Sequence, residues 1–541
     1  MKKIYFSFLL LSTLSFAQIV QVKDIFTGST TVGSTTTINS GNPNNFFNFN
    51  GLLLFRAIDA TSNGAELWKS DGTAAGTTIL KDINAGTTVA SSSNPANFTL
   101  FANQVFFTAG NGTDQQATEL WKTDGSTTGT TLVKDINATS AGSGNPQNFN
   151  VLSPTTMLFS ASDGINGNEL WKTDGTSAGT VNVIDYPGIA NSISWIENLN
   201  GLGILGQIVT TTGREIYKSD GTTAGSSLVL DINSGNLNGA GTVSYKWGNT
   251  IYFQGITSTA GTELWKTDGT AAGTILVKDI VAGNASSSPA RFVGINNDVY
   301  FRATGAEGQE LWKTDGTTAN TVLVADINVG TAGSSPDQIG AVGTNLYFFA
   351  SDNATNFDFY KYDGTTLTKL ADFNALGNTL VTNYTEINGL IYFAADSNSD
   401  GQRELWQTNG TAAGTVSVSS YATTLNPLGV NNITLVANKL FFSAALADGT
   451  ELFTYMPVVL NTNSNLILSD ISVYPNPNQG IINISTRIAG TINYVITDVL
   501  GKQITNGSVH NNQIEWQANS GIYFLKLEVD GASLVKKISK E

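Results

Sequence analysis

Three features of this sequence predict an all-β fold built from repeated units. The octapeptide Glu119 to Ser126, ELWKTDGS, recurs as near-copies beginning at Glu66, Glu169, Glu215, Glu263, Glu310, Asp358 and Glu404, with a truncated ELFTY at Glu451. Successive copies start 46 to 53 residues apart, as between Glu169 and Glu215 or Glu66 and Glu119. Within each period, runs of β-branched and aromatic residues alternate with Gly, Asn, Asp, Ser and Thr, the pattern of short strands joined by tight turns. Four antiparallel strands in a period near 45 residues is the blade of a β-propeller, so the expectation is a closed propeller of about nine blades followed by a small β-sandwich. Eight blades or a split array are the alternatives.

Taking the elements in order, Lys2 and Lys3 precede an apolar stretch from Ile4 to Leu14 and a small-x-small site, Ser15-Phe16-Ala17. That reads as a secretory signal peptide over 1–17, too short to span a bilayer. No later segment is apolar enough to cross as a helix, so no transmembrane span is expected in the mature chain. Residues 18–455 form the repeat region. Its second unit divides into strands Asn97 to Ala102, Gln104 to Thr108, Glu119 to Thr123 and Thr130 to Ile136. The unit around Leu264 divides likewise, ending in Ile275 to Ile280. Val22-Lys23-Asp24-Ile25 is a free copy of the fourth strand, while the last unit stops at Tyr455 after its third. The amino-terminal strand is therefore expected to complete the last blade and close the ring, removing two sheet edges.

Alternation along the third strand puts Leu and Trp of the octapeptide on opposite sides, each filling a seam between neighbouring blades. Trp68, Trp121, Trp171, Trp265, Trp312 and Trp406 are accordingly core residues, replaced by Tyr217, Tyr360 and Phe453 in three units. Asp71, Asp124, Asp174, Asp268 and Asp315, like Asp220 and Asp363, are read as turn formers in a Thr-Asp-Gly-Thr hairpin whose Thr starts the return strand. A ring of calcium sites at these turns is the weaker reading, because D-G-T lacks the dense oxygen ligands of a calcium loop; no cofactor is expected.

The loops between second and third strands vary from unit to unit and contain Asp114, Asp163, Asp352, Asp396 and Asp400. These are the candidate ligand-binding residues. The chemistry available elsewhere is narrow: cysteine is absent and the one histidine is His510, which excludes thiol nucleophiles, Cys/His zinc sites and histidine-based triads from the repeats. No catalytic or metal-binding residues are assigned. Arg56, Arg302, Arg214 and Arg403 form no convergent set. With 27 Lys and Arg against 42 Asp and Glu, and no basic run, a net charge of −15 argues against nucleic acid as a partner.

The octapeptides, of which Glu169 to Thr176 and Glu263 to Thr270 are full copies, make residues 20 to 455 resemble the ELWxxDGT repeat family of secreted bacterial proteins. That resemblance implies no particular activity. After a linker over 456–468, residues 469–541 carry their own pattern: Tyr474-Pro475-Asn476-Pro477, Gly480, Gly501 after an apolar strand, and Gly521-Ile522-Tyr523 opening another. This β-sandwich resembles the type A C-terminal sorting domain of the type IX secretion system. The resemblance implies export, after Sec-dependent passage, across the outer membrane of a Bacteroidota-type cell, with the translocon as partner and the secreted or cell-surface propeller as cargo. The functional expectation is a non-catalytic, adhesin-like module binding glycan or a surface protein. A carboxylate-based glycoside hydrolase and a purely structural surface component are the alternatives.

Overall fold

The computed structural model describes residues 18–541 except 33, 60–63, 86–90, 111–116, 140–141, 187–191, 354–355, 374–383, 398–401, 419–427, 447–448, 458–471, 486–491, 500, 510–511 and 530–531. The signal segment, most of the linker, Asp114, Asp400 and His510 thus lie outside the described residues. The chain divides into two compact units, Met1–Pro457 and Val458–Glu541. Among the described residues there is no α-helix, and so none long and apolar enough to cross a membrane.

The first unit holds nine four-stranded antiparallel sheets among its described residues, eight of them simple meanders. The first sheet comprises Asn44–Phe49, Leu52–Ile58, Ala65–Ser70 and Thr78–Lys81; the second, Ala96–Phe101, Gln104–Gly110, Thr118–Thr123 and Thr131–Lys134. The ninth takes three strands from Leu428–Val436, Lys439–Leu446 and Gly449–Met456, and its fourth from Gln18–Lys23, which pairs antiparallel with Gly449–Met456. One extra ribbon, Ser29–Val32 with Thr35–Ile38, stands between the ninth and first sheets, its neck closed by the Asn39 N–H donating to the Gly28 carbonyl at 3.0 Å.

Packing follows from the pleat. Across each ladder the octapeptide aromatic lies opposite a fully buried second-strand residue: Phe55 opposite Trp68, Phe107 opposite Trp121, Phe253 opposite Trp265, Phe442 opposite Phe453. These pairs face the preceding sheet. The neighbouring Leu faces the following one. Leu54 and Leu67 of the first sheet share a core with Phe107 and Trp121 of the second, and Leu120 with Phe159 and Trp171 of the third. The pattern repeats at each junction, and Leu452 and Phe441 of the ninth sheet share a core with Phe55 and Trp68 of the first. Burial of each such side chain stabilises by roughly 1.5–3 kcal/mol, so the seams carry most of the cohesion of this unit.

The strands differ from expectation in one instructive way. The second unit's fourth strand ends at Lys134 and not at Ile136, and the fifth's at Lys278 and not at Ile280. The chain leaves the ladder there because the isoleucine N–H is claimed by a buried glutamate instead.

Deleting Gln18–Lys23 removes a strand and the buried Ile19 and Val22 from two cores, and should lower the thermal midpoint by several degrees. Excising the Ser29–Ile38 ribbon should leave it unchanged. Parallel melts of the two deletions check this; equal midpoints would contradict the assigned role of the first strand.

Candidate functional site

The octapeptide glutamate is fully buried in most sheets, and its carboxylate ties down the chain that crosses to the next sheet. Glu66 accepts hydrogen bonds from the Ile83 N–H (2.8 Å), the Ser93 N–H (2.8 Å) and the Ser93 hydroxyl (2.5 Å). Glu119 accepts from the Ile136 and Gly144 N–H groups, each at 2.7 Å. Glu263 does the same with Ile280 and Ser287, and Glu310 with Ile327 and Ser334. In the ninth sheet Glu451 takes the Ile25 N–H (2.8 Å) and the Gly41 N–H (2.6 Å), some 400 residues earlier in the chain. Charge-assisted bonds of this kind are among the stronger ones available to a protein.

A second recurring element receives the clamp: Gly41-Asn42-Pro43, Ser93-Asn94-Pro95, Gly144-Asn145-Pro146, Ser287-Ser288-Pro289 and Ser334-Ser335-Pro336. Where the first residue is serine, its hydroxyl adds a third bond to the carboxylate. Where it is glycine, the carboxylate sits against the α-carbon; a Cβ on Gly144 would lie 2.6 Å from Glu119 Oε2. The middle residue adopts φ between 42° and 50° in all five, which Asn tolerates best. Sequence reasoning missed both the glutamate's role and this tripeptide, although its recurrence before five of the first strands was there to be read.

The seventh sheet departs from the rule. Asp358, one methylene shorter, is met by Lys369 Nζ at 2.5 Å, which also pairs with Asp352 at 3.0 Å. In the eighth, Glu404 accepts longer bonds from Ser397.

At the opposite end of each sheet, the turn aspartates bond within their own loop. Asp71 Oδ1 accepts from the Thr73 N–H (2.8 Å) and hydroxyl (2.7 Å), and Thr73 Oγ1 accepts from the Gly76 N–H (2.9 Å). Asp124, Asp174, Asp268 and Asp315 repeat this, and Asn409 substitutes for Asp in the eighth sheet. The expected hairpin is corrected in length: the connection runs from Asp71 to Thr77, and Thr73 caps the turn, with the return strand starting at Thr78. Most of these turns carry a second glycine, because a Cβ on Gly76 would fall 2.1 Å from Asp71 Oδ1; in the sixth sheet Asn320 takes that place and its amide donates to Asp315 Oδ2 at 2.6 Å. Among the described residues no group of three or more His, Cys, Asp or Glu is placed to hold a metal ion.

Each described loop aspartate is engaged within its own sheet. Asp163 Oδ1 accepts from the Ile165 N–H at 2.9 Å, Asp352 pairs with Lys369, and buried Asp396 lies by Arg403 and Glu404. Three large apolar side chains stand exposed at this same end, Ile165, Leu237 and Val329, the last 86% exposed.

In the second unit, the Pro-Asn-Pro-Asn segment is stitched to strand Ala532–Lys540. Asn476 Oδ1 accepts from the Ser539 N–H (2.8 Å) and its amide donates to the Lys537 carbonyl (3.0 Å); the Asn478 N–H donates to the Ser539 carbonyl (2.9 Å). Tyr474 is half exposed, and the peptide bonds before Pro475 and Pro477 are cis. Gly480 has φ +104°, with the Trp516 carbonyl where a Cβ would be, and Gly501 has φ +80° in the turn closed by Asp498 and Lys502. Gly521 opens strand Gly521–Val529, in which Tyr523 is buried edge-on against Trp516 at 4.9 Å. A cleft of about 430 Å³ borders this region, lined by Gln479, Gly480, Ile481, Trp516 and Lys540 among others.

Residues 472–541 match the family described as secretion system C-terminal sorting domain, so the chain carries the sorting module of a type IX secretion substrate. No curated protein matches the chain. Among solved structures, a prolyl endopeptidase is similar at 11% identity and TM-score 0.38, over 68% of this chain and 54% of that one. BamB from Moraxella catarrhalis is similar at 12% identity and TM-score 0.35, over 66% and 96%. PorZ, a surface component of the type IX secretion system of Porphyromonas gingivalis, is similar at 11% identity and TM-score 0.23, over 97% and 100%. The chain spans about half the length of the prolyl endopeptidase and of a puromycin hydrolase, 54% and 48%. Likenesses of this strength transfer no activity.

Burial pushes Glu66, Glu215 and Glu451 up to about 7 from an ordinary 4.5, outweighing their hydrogen bonds. Folded protein therefore holds protons between pH 4.5 and 7 that the unfolded chain has released, and stability is lost as pH rises through that window. The turn aspartates, lowered chiefly by side-chain hydrogen bonds such as Thr73 to Asp71, act oppositely and only below their ordinary 3.8. The thermal midpoint should fall from about pH 5 to about pH 8, and less steeply in a Glu66→Gln, Glu215→Gln variant. A midpoint that rises across this range contradicts the assignment.

Proposed function

We propose that the nine sheets of the first unit are the blades of a closed β-propeller, sealed by Gln18–Lys23, and that this propeller is a non-catalytic binding module carried to the cell surface or released. The core shared by the ninth and first sheets, together with the Glu451 clamp, supports closure. Export rests on the sorting module at 472–541. Membership of the ELWxxDGT repeat family, Sec-dependent passage and a Bacteroidota-type source belong to the same reading.

The observation that carries the binding role is an asymmetry between the two ends of the sheets. In an antiparallel meander the third-to-fourth connections lie at one end, while the second-to-third connections and the sheet-to-sheet crossings lie at the other. The first end is nearly invariant: Asp71 to Thr77, Asp124 to Thr130 and Asp268 to Thr274 have the same length and the same bonds. The other end varies from the short turn between Asp298–Gly305 and Gly308–Thr314 to the long connection between Leu390–Ala395 and Glu404–Thr408. A rigid frame with one variable loop face is how binding surfaces are commonly built. Ile165, Leu237 and Val329 lie on that face. The buried glutamates, the chain's most perturbed carboxylates, are occupied by backbone N–H groups, which favours adhesion over carboxylate catalysis.

A glycan or surface protein is the proposed ligand, with no cofactor required. Full-length mature protein should bind selectively on a panel of glycans and surface proteins, with calcium or chelator, and release no products. An Ile165→Asp, Leu237→Asp, Val329→Asp variant should lose roughly tenfold in affinity, about 1.4 kcal/mol, without a change in melting. Undiminished binding by that variant, or cleavage of a bound glycan, would overturn the proposal.

A further inference from the structure

From Ile522 to Leu527 the strand Gly521–Val529 alternates between exposed and buried side chains. Tyr523, Leu525 and Leu527 enter the core of the second unit together with Ile496 and Ile538. Ile522, Phe524 and Lys526 point the other way, onto the outer face of the four-stranded sheet. Register places Lys537 beside Phe524 on one neighbouring strand, and Val535 beside Lys526. On the opposite neighbour Val495 pairs with Lys526. Ile522 is 45% exposed, Phe524 39% and Val535 56%, so three large apolar side chains share one face, bordered by Lys537 and by Lys526, which is paired with Glu528 on the same face. Single exposed apolar residues are ordinary on a protein surface; a contiguous group is the mark of an interaction site.

We propose that this outer face, centred on Phe524, is where the type IX export apparatus docks, a step that rests on the reading of this chain as a substrate of that route. Charge chooses the occupant. Residues 458–541 hold six basic residues (Arg487, Lys502, Lys526, Lys536, Lys537, Lys540) and six acidic ones (Asp470, Asp498, Glu515, Glu528, Asp530, Glu541), whereas the whole chain carries −15. The acid excess therefore lies in the cargo, and the neutral sorting unit turns an apolar, lysine-flanked face outward. Lys526 is held by Glu528 in an ion pair. Such a face fits an apolar pocket with an acidic rim on the apparatus, and Phe524 supplies the large ring that dominates interfaces of this kind. Asn476 and Asn478 are positioning residues here: their bonds to Ser539 and Lys537 hold the strand that bears Val535 and Lys537 in register.

The test follows export of the full chain in a bacterium that has the apparatus, comparing extracellular and surface protein with protein retained inside. Phe524→Glu and Val535→Glu should each reduce export roughly tenfold while the purified chains melt as wild type does. Ile481→Glu, at an exposed position on the other sheet that borders the cleft, should export normally. Asn476→Ala should reduce export, with Asn476→Asp, which keeps the acceptor for the Ser539 N–H, restoring part of it. Normal export of both Phe524→Glu and Val535→Glu would overturn the proposal, as would loss of export with Ile481→Glu alone, which would move docking to the cleft. Face variants that export normally but convert a dimer to a monomer would assign the face to a second copy of the chain. Removal of 472–541 separates the two levels: unchanged export then refutes the export reading itself, while lost export with normal face variants refutes only the docking face.

Discussion

In most sheets the crossing to the next is fixed by a carboxylate that has been taken out of water. A buried glutamate costs several kcal/mol in desolvation, and that cost is offset only when its oxygens are filled by well-aligned donors. Here the donors are backbone N–H groups, seventeen residues and roughly 25 residues further along, as with Ile83 and Ser93 for Glu66. Those groups lie in irregular chain and would otherwise need partners of their own. The glutamate thus satisfies the crossing, and the crossing satisfies the glutamate. In the ninth sheet the partners come from Ile25 and Gly41 at the start of the repeat region, so the same bond that spaces neighbours also joins the last sheet to the first.

The hydrophobic seams and the clamps divide the labour. Leu and Trp on opposite sides of one strand set how far apart two sheets lie, while the clamp sets where the chain enters the next one. Once both are fixed, most connections between second and third strands carry little structural duty and are free to change; the eighth sheet, where Ser397 bonds Glu404, is the exception. That freedom is visible in the exposed tip Ile165 and in the unequal lengths of these connections, against turns at the other end whose Asp and Thr bonds hardly vary. The seventh sheet shows the rule's tolerance: Asp358 is too short to do what Glu does, and Lys369 supplies the compensating charge from a neighbouring strand.

Much of this was legible in the sequence, for a physical reason. The octapeptide's period and its strict alternation gave the strand count per unit and the two-sided burial of Leu120 and Trp121, because periodicity and the pleat are local properties. The pairing of Gln18–Lys23 with Gly449–Met456 was likewise readable, as a stray copy of the fourth strand. The glutamate's role was not, since a side-chain bond to backbone N–H groups 17 to 27 residues away leaves no mark in the hydrophobic pattern. The Gly/Ser-Asn/Ser-Pro tripeptide that receives it is short and varied enough to pass for loop. Turn length was misjudged because Thr73 looks like the start of a strand, whereas its hydroxyl accepts from Gly76 and postpones the strand by several residues. In the second unit, Asn476 and Asn478 read as signature residues; only the fold shows that they hold the strand ending at Lys540.

Amide hydrogen exchange at the crossings tests the clamp most directly. The N–H groups of Ile83, Ser93, Ile136 and Gly144 should exchange as slowly as ladder amides, although they belong to no strand. In a Glu66→Ala variant Ile83 and Ser93 should lose that protection while Ile136 and Gly144 keep theirs. If all four exchange in the wild type as freely as an open loop, the buried carboxylate does not hold the crossings and the account fails.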